Sequence, residues 1–292
     1  MKSGFVSIIG RPNVGKSTFL NSVLGEKIAI TTDKPQTTRN TIRGIYTDDE
    51  AQVVFIDTPG IHKAKTKLGE FMTGSALKTL QEVDLVLFLV DDTKKIGPGD
   101  QFVIDALKEI STPKILIINK IDMHEPDEFE NTYNKYQELN MFDDIIGISA
   151  IQGKNVDIVL SKIKDKLENG PMYFPKDAIT DHPERFVVSE IIREKLLMYL
   201  EDEVPHGVAV EIESYEEKEN ITNIGAIIYC EKKSHKGIII GKGGRKLKGV
   251  GQAARKEIEV LIGTKVYLEL WVKIKENWRD MDNMLSNLGY KE

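Results

Sequence analysis

The chain has 292 residues, enough for two cores, and its 40% hydrophobic and 29% charged content is that of a globular protein rather than a disordered or fibrous one. A net charge of −6 gives the chain as a whole no attraction for a polyanion, so contact with nucleic acid would need a local concentration of Lys and Arg. One cysteine, Cys230, excludes an intrachain disulfide, and no window approaches 18 consecutive apolar residues; a cytoplasmic, reducing setting without a signal segment is the expectation.

From residue 4 to about 168, short β-rich runs (GFVSIIG, AQVVFID, DLVLFLV, KILIINK, DIIGISA) alternate with helical patterns such as KSTFLNSVLG and NVDIVLSKIKDKL. DLVLFLV is apolar on both faces, as a strand between two helix layers must be. The alternation predicts an α/β, doubly wound, mostly parallel sheet over residues 1–170, with ligands beyond the carboxyl ends of its strands. Residues 171–183, with three prolines and no helical stripe, read as a linker. Residues 184–292 then change order to α-β-β-α-α-β, a smaller α+β domain. Its first helix carries Val187, Ile191, then Glu194 or Lys195, then Met198 at stripe spacing. A later helix steps through Leu247, Val250, Ala254, Ile258 and Leu261. In the closing strand KVYLELWVKI, Trp271 reads as core, with a base-stacking platform as the alternative, and the segment from Trp278 onward reads as a packing helix.

Gly10-x-x-x-x-Gly15-Lys16-Ser17 follows a strand and opens a helix, the spacing of a phosphate loop. The loop through Arg11, Pro12, Asn13 and Val14 is expected to wrap phosphate oxygens with its backbone, aided by the helix N-terminus that carries Thr18. Lys16 would reach the β/γ-phosphates and Ser17 would ligate Mg²⁺. Asp57, in DTPG at a strand's end, can hold Mg²⁺ through water, and the Gly60 amide can sense a γ-phosphate. In NKID, Asp122 offers two oxygens to the adjacent N1–H and N2 donors of guanine, Asn119 would meet the base's outer edge, and the Lys120 stem would cover its face. Adenine lacks that donor pair and would strand buried polar groups at roughly 1–3 kcal/mol each. Ser149 and Ala150 close the last strand, where the Ala150 amide could reach guanine O6.

These four motifs, in this order, resemble those of the translation-factor-like GTPases. The resemblance implies that QTTR, Gln36 to Arg39, is switch I, with Thr38 capping Mg²⁺ in the GTP state and Thr37 as the alternative. Lys16, Thr38, Asp57 and Gly60 then form the catalytic set. Many GTPases place a water-orienting glutamine after D-x-x-G; here Ile61 stands there, so intrinsic turnover should be slow. Asn13 either shapes the loop or, as in similar GTPases with asparagine there, holds K⁺ beside the phosphates. His62 reads as an exposed spectator.

A second glycine–lysine loop, IIIGKGGRK, lacks the Gly-Lys-Ser/Thr spacing and any magnesium-binding hydroxyl. Gly241-Lys242-Gly243-Gly244 is instead G-x-x-G between helical segments, the loop with which KH domains clamp about four nucleotides. Lys232, Lys233, Lys236, Lys242, Arg245, Lys246, Lys248, Arg255 and Lys256 follow one another with no acid between them, in a region otherwise acidic. That is the electrostatic footprint of a nucleic-acid face. Lys236, Ile240, Gly241, Lys242, Gly243, Gly244, Arg245, Lys246 and Lys248 are the expected RNA contacts; of Ile238, Ile239, Ile240 and Val250, some are expected to line a groove against the bases and some to be core.

A GTPase followed by a type II KH domain resembles the Era family of bacterial ribosome-assembly GTPases, through DTPG, NKID, SEIIREKL, IGKGG and LELWVK. The resemblance implies GTP/GDP and Mg²⁺ as ligands and, as partners, single-stranded RNA near the 3′ end of 16S rRNA and the 30S subunit late in its assembly. It also implies peripheral contact with the inner face of the cell membrane, and the chain is expected to act as a monomer. The rival readings are a membrane or protein adaptor whose second domain binds no RNA, and an ATP-dependent kinase on the same phosphate loop; Asp122 argues against the kinase.

Overall fold

The computed structural model describes residues 1–34, 36–61, 64–91 and 95–290; His62 and Asp92 lie outside them. The chain forms two compact units.

The first unit takes in residues 1–29, 38–65 and 69–181. Its elements in order are β1 (Lys2–Ile9), α1 (Lys16–Leu24), β2 (Ile42–Thr47), β3 (Ala51–Asp57), α2 (Lys67–Thr79), β4 (Leu85–Asp91), α3 (Pro98–Lys108), β5 (Lys114–Asn119), α4 (Pro126–Gln137), β6 (Asp144–Gly147) and α5 (Val156–Lys166). The sheet runs β2-β3-β1-β4-β5-β6, parallel throughout except for edge strand β2. This is the expected doubly wound sheet. Strands β3 and β4 are buried along their length, apart from Asp91 at the end of β4, because helices cover both faces. One face packs Val86, Phe88, Val90, Leu116 and Ile118 on Val103, Ile104 and Leu107 of α3. Each such side chain contributes about 1.5–3 kcal/mol of burial. Strand order reverses at β1, with β3 on one side and β4 on the other, so the loop after β1 opens at the sheet's switch point.

The proline-bearing stretch that reads as a linker is instead fastened to this unit as far as Asp181. The Gln52 amide donates to Phe174 O (2.9 Å) and accepts from the Tyr173 and Phe174 N–H groups (2.7 and 3.0 Å). Ile45 N donates to Ile179 O (2.9 Å), so the segment covers the open edge of β2. A stretch barred from helix by Pro171 and Pro175 thus has its backbone satisfied by a side chain and a strand edge.

The second unit comprises residues 30–37, 66–68 and 182–292. Its elements are α6 (Glu184–Tyr199), β7 (Ala209–Lys218), β8 (Ile221–Cys230), α7 (Lys233–Ile240), α8 (Arg245–Ile262), β9 (Lys265–Ile274) and α9 (Asp282–Asn287). The sheet is β7-β8-β9, with β7/β8 antiparallel and β8/β9 parallel. Its core gathers Val188, Ile192 and Leu196 of α6, Ile224, Ala226 and Ile228 of β8, and Val250, Ala254 and Ile258 of α8; Ile30 joins it. The stripe of α6 is therefore centred on positions 188, 192 and 196, and Met198 is 54% exposed, not a core residue. Trp271 is likewise 43% exposed, contrary to the core reading. Alternation along β9 turns Val266 and Val272 inward and the odd-numbered positions outward. Trp278 is the buried tryptophan, its indole N–H donating to Gly207 O at 2.9 Å.

Candidate functional site

At the carboxyl ends of β1 and β3, three groups separated by up to 40 residues converge. Ser17 Oγ donates to Asp57 Oδ2 (2.7 Å), Thr38 Oγ1 lies 2.9 Å from Ser17 Oγ, and Thr38 Oγ1 donates to Asp57 Oδ2 at 3.5 Å. All three are buried, and Asp57 Oδ1 has no hydrogen-bond partner among the described residues. Two hydroxyls beside a carboxylate with a spare buried oxygen are the hard oxygen donors that Mg²⁺ takes, so the residues present fit that ion. Thr37 is turned elsewhere: its hydroxyl donates to Lys34 O (2.6 Å) and lies 2.7 Å from Thr32 Oγ1. Burial pushes the Asp57 carboxyl up to about 6, against the opposing pull of Lys16 and the Ser17 and Thr38 hydroxyls. Burial pushes the Lys16 ammonium down to about 8, with Asp57 resisting. Lys16 Nζ donates to Arg11 O (3.0 Å) and Gly10 O (3.3 Å) and so closes the loop from inside.

The segment after Asp57 packs on that loop. Ile61 N donates to Gly10 O (3.2 Å), and a Cβ on Gly60 would come 2.6 Å from Pro12 N. Ile61 is buried, so its side chain offers a water no bond. At the end of β5, Asn119 braces two arms of the site: its amide donates to Val14 O (2.8 Å) and accepts from Ala150 N (3.0 Å). In this geometry the Asn119 side chain and the Ala150 N–H, both expected to meet the base, bond to each other. Lys120, in the left-handed region at φ 66°, donates from Nζ to Asn13 O (2.8 Å). Asp122 is exposed in the short 3-10 turn that follows, and Ser149 is buried. Thr18 lies half-buried on the first turn of α1, and Asn13 is exposed at φ 66°.

Asp91, at the end of β4, joins these arms. It pairs with Arg11 of the phosphate loop and with Lys120 Nζ (3.1 Å). Arg11 Nε also donates to Asp100 Oδ1 (2.7 Å) on the first turn of α3. No linear spacing signals this cluster; only the order of the strands brings positions 11, 91, 100 and 120 together.

In the second unit, Gly241, Lys242, Gly243 and Gly244 form the turn between α7 and α8, with Lys242 and Gly243 exposed and Gly243 at φ +60°. Lys246 is half-buried and Arg245 and Lys248 are exposed. Among the described residues none of the nine clustered cations is held in an ion pair. Beside the turn lies a groove of about 410 Å³ between α8 and β9, lined by Gly244, Leu247, Gly251, Arg255, Tyr267 and Leu270 among others. Of the four aliphatics expected near the turn, Ile239 and Val250 are the core members; Ile240, like Lys236, is half-buried and Ile238 is 43% exposed, but none of the four lines the groove. The groove's apolar wall comes from Leu247, Leu268 and Leu270, and its ring from Tyr267. The alternation of β9 carries a signal for them that the loop motif alone does not.

Residues 5–120 match the family model of 50S ribosome-binding GTPases, and residues 203–279 match that of KH domains. The chain is 57% identical to GTPase Era of Clostridioides difficile (strain 630), over 100% of this chain and 99% of that one. The chain belongs to the Era family of GTPases. It is also 58% identical to GTPase Era of Alkaliphilus metalliredigens (strain QYMF), over 99% of each. Two crystal structures of Era superpose at a TM-score of 0.96 and 38% identity, each over the full length of both chains. One is an Aquifex aeolicus Era variant bound to GDP and aluminium tetrafluoride; the other is Era with MgGDPNP and nucleotides 1506–1542 of 16S ribosomal RNA. Membership of the Era family places GTP hydrolysis in the first unit and a KH fold in the second.

Proposed function

We propose that this Era-family GTPase is a Mg²⁺-dependent switch whose KH unit grips single-stranded RNA near the 3′ end of 16S rRNA during assembly of the 30S subunit. The observation that carries the reading is the pairing, in one chain, of the Ser17–Thr38–Asp57 cluster with an acid-free cationic groove. The full-length likeness to Era holding MgGDPNP and that RNA segment supports both halves. The family model for residues 5–120 is described by the large subunit, but it matches only the first unit; the full-length relative points to small-subunit RNA.

Ser17, Thr38 and Asp57 would hold the ion, which supplies neutralisation of charge on the β- and γ-phosphates. Lys16, released from the Gly10 and Arg11 carbonyls, would place its ammonium on the same oxygens. The Gly10–Gly15 backbone orients the phosphates, and Asp122 selects guanine. Thr38 and Gly60 would report the γ-phosphate, since both lie in segments set beside the phosphate loop, where that group would add or remove contacts. The KH groove would stack bases on its apolar wall while the turn at Gly241–Gly244 holds the backbone.

The test is a titration of the full chain with an RNA matching nucleotides 1506–1542 of its host's 16S rRNA, in the presence of GDP or a non-hydrolysable GTP analogue. Tighter binding with the analogue, and little binding of a scrambled RNA, is expected. Equal affinity for the scrambled sequence would remove the rRNA reading, and preference for anionic vesicles over both RNAs would replace it with the membrane one.

Asn13 sits where a monovalent cation could offset charge beside the phosphates, which the buried Ile61 cannot do by ordering water. Hydrolysis is expected to run roughly tenfold faster in KCl than in NaCl, a modest share of the effect of one transition-state charge stabiliser. Asn13→Ala should erase the difference. Equal rates of the unaltered protein in both salts would leave Asn13 a loop-shaping residue only.

A further inference from the structure

Helix α6 spends four charged side chains in places where an apolar residue would pack at less risk. Glu190, Arg193, Glu194 and Lys195 are 6%, 1%, 0% and 8% exposed. A buried ion pair is weak evidence for stability, because desolvation offsets its attraction, so another role must be sought in what the leftover donors and acceptors hold.

Arg193 uses Nε and one terminal nitrogen on Glu190 (2.7 and 2.5 Å), fixing its fork. Its terminal nitrogens also donate to Thr37 O and, at 3.5 Å, to Gln36 O. Both acceptors are main-chain carbonyls, and the next residue along the chain is Thr38, whose hydroxyl sits on Ser17. Glu194 accepts from Thr31 N at 2.9 Å, and Ile30 lies in the same core as α6. Residues 30–37 are thus tied at both ends by α6, and they count with the second unit rather than the first. The other oxygen of Glu194 meets Lys195 Nζ at 2.7 Å, and the same ammonium meets Glu257 of α8 at 2.5 Å. Helix α8 begins at the G-x-x-G turn and lines the groove. An unbroken run of hydrogen bonds therefore leads from the RNA-binding helix through Glu257, Lys195 and Glu194 to the backbone at Thr31, with Arg193 clamping the backbone just before Thr38.

We propose that Arg193 is a positioning residue for GTP binding and hydrolysis, and that the Glu257–Lys195–Glu194 run is the relay by which RNA on α8 biases the placement of Thr38. The proposal rests on the RNA reading above. It assigns the coupling to two ties on one backbone segment, and by linkage the effect must be reciprocal.

The test measures, on the full chain, the ratio of GTP-analogue affinities with and without the saturating 16S fragment, alongside fragment affinity in GDP. The unaltered protein should show a ratio of roughly 5- to 150-fold, the usual span of coupling between sites. Arg193→Met combined with Glu190→Leu removes both buried charges together, so that neither is stranded. That double variant should keep RNA affinity in GDP but bring the ratio below about twofold. Arg193→Lys, which keeps the charge but not the fork, should fall between. Glu257→Ala is a milder probe at a partly exposed position, should the double variant fold poorly. It should lower the ratio while leaving GTP-analogue affinity without RNA unchanged. An unaltered ratio in a folded double variant overturns the role of Arg193, and an unaltered ratio in Glu257→Ala overturns the relay. An unaltered protein that binds the fragment with a ratio of one overturns both but spares the RNA reading; one that binds no fragment takes down the RNA reading itself.

Discussion

Gly15→Ala is expected to lower guanine-nucleotide affinity by at least about 100-fold. Gly15 sits at φ +98°, where an L side chain is strained by roughly 1–3 kcal/mol. The added methyl would also lie 2.2 Å from Asn119 Nδ2. Asn119 cannot yield freely, because its amide bonds Val14 O at 2.8 Å and Ala150 N at 3.0 Å. Displacing it leaves two buried backbone groups unpaired, at about 1–3 kcal/mol each. Even the low ends of these terms sum to about 3 kcal/mol, which at 1.4 kcal/mol per decade is about two orders of magnitude. One methyl group would thus loosen the phosphate loop and the base-reading arm together. Titration with a fluorescent GDP, with thermal melting as a check of folding, decides it; affinity within threefold of the unaltered protein would show that the Asn119 brace is dispensable.

Gly243→Asp should act on the other ligand alone. Gly243 has φ +60°, a conformation aspartate tolerates better than most residues, and a Cβ there meets no atom within 4 Å. The fold should therefore absorb the change. What changes is charge: a carboxylate enters between Lys242 and Arg245, where an RNA phosphate is proposed to sit. RNA affinity at low salt should drop by at least about tenfold, and the slope of log affinity against log salt should shrink by about 0.7, the share of one phosphate contact on a single strand. Gly243→Asn, of the same shape without the charge, should lose much less. Guanine-nucleotide affinity in the absence of RNA should not move. If the asparagine and aspartate variants lose RNA equally, shape and not charge is what the turn supplies.

Much of this was legible because it is written locally. The spacing Gly10–Ser17, the acid that ends β3, the Asn–Lys–x–Asp that ends β5 and the uninterrupted cations around Gly241–Gly244 are each contiguous in the chain. So are the periodicities that give the two folds. What the sequence concealed is written across distance. No contiguous motif marks Asp91, which strand order sets against Arg11 and Lys120. The pattern of α6 admits either Glu194 or Lys195 on its apolar stripe, and the structure buries both, because each is paired there. Residue type favours a core position for Trp271, but the alternation of β9 turns it outward. The groove's leucines and Tyr267 are divided between α8 and β9, so no contiguous stretch beside the glycine turn marks them.

The burial of Ile30 in the core built around α6 has a bearing on modularity. The KH half is not one stretch of gene: an isoleucine encoded more than 150 residues upstream fills part of its interior. A fragment that begins at residue 182 would therefore lack one side chain of its own core.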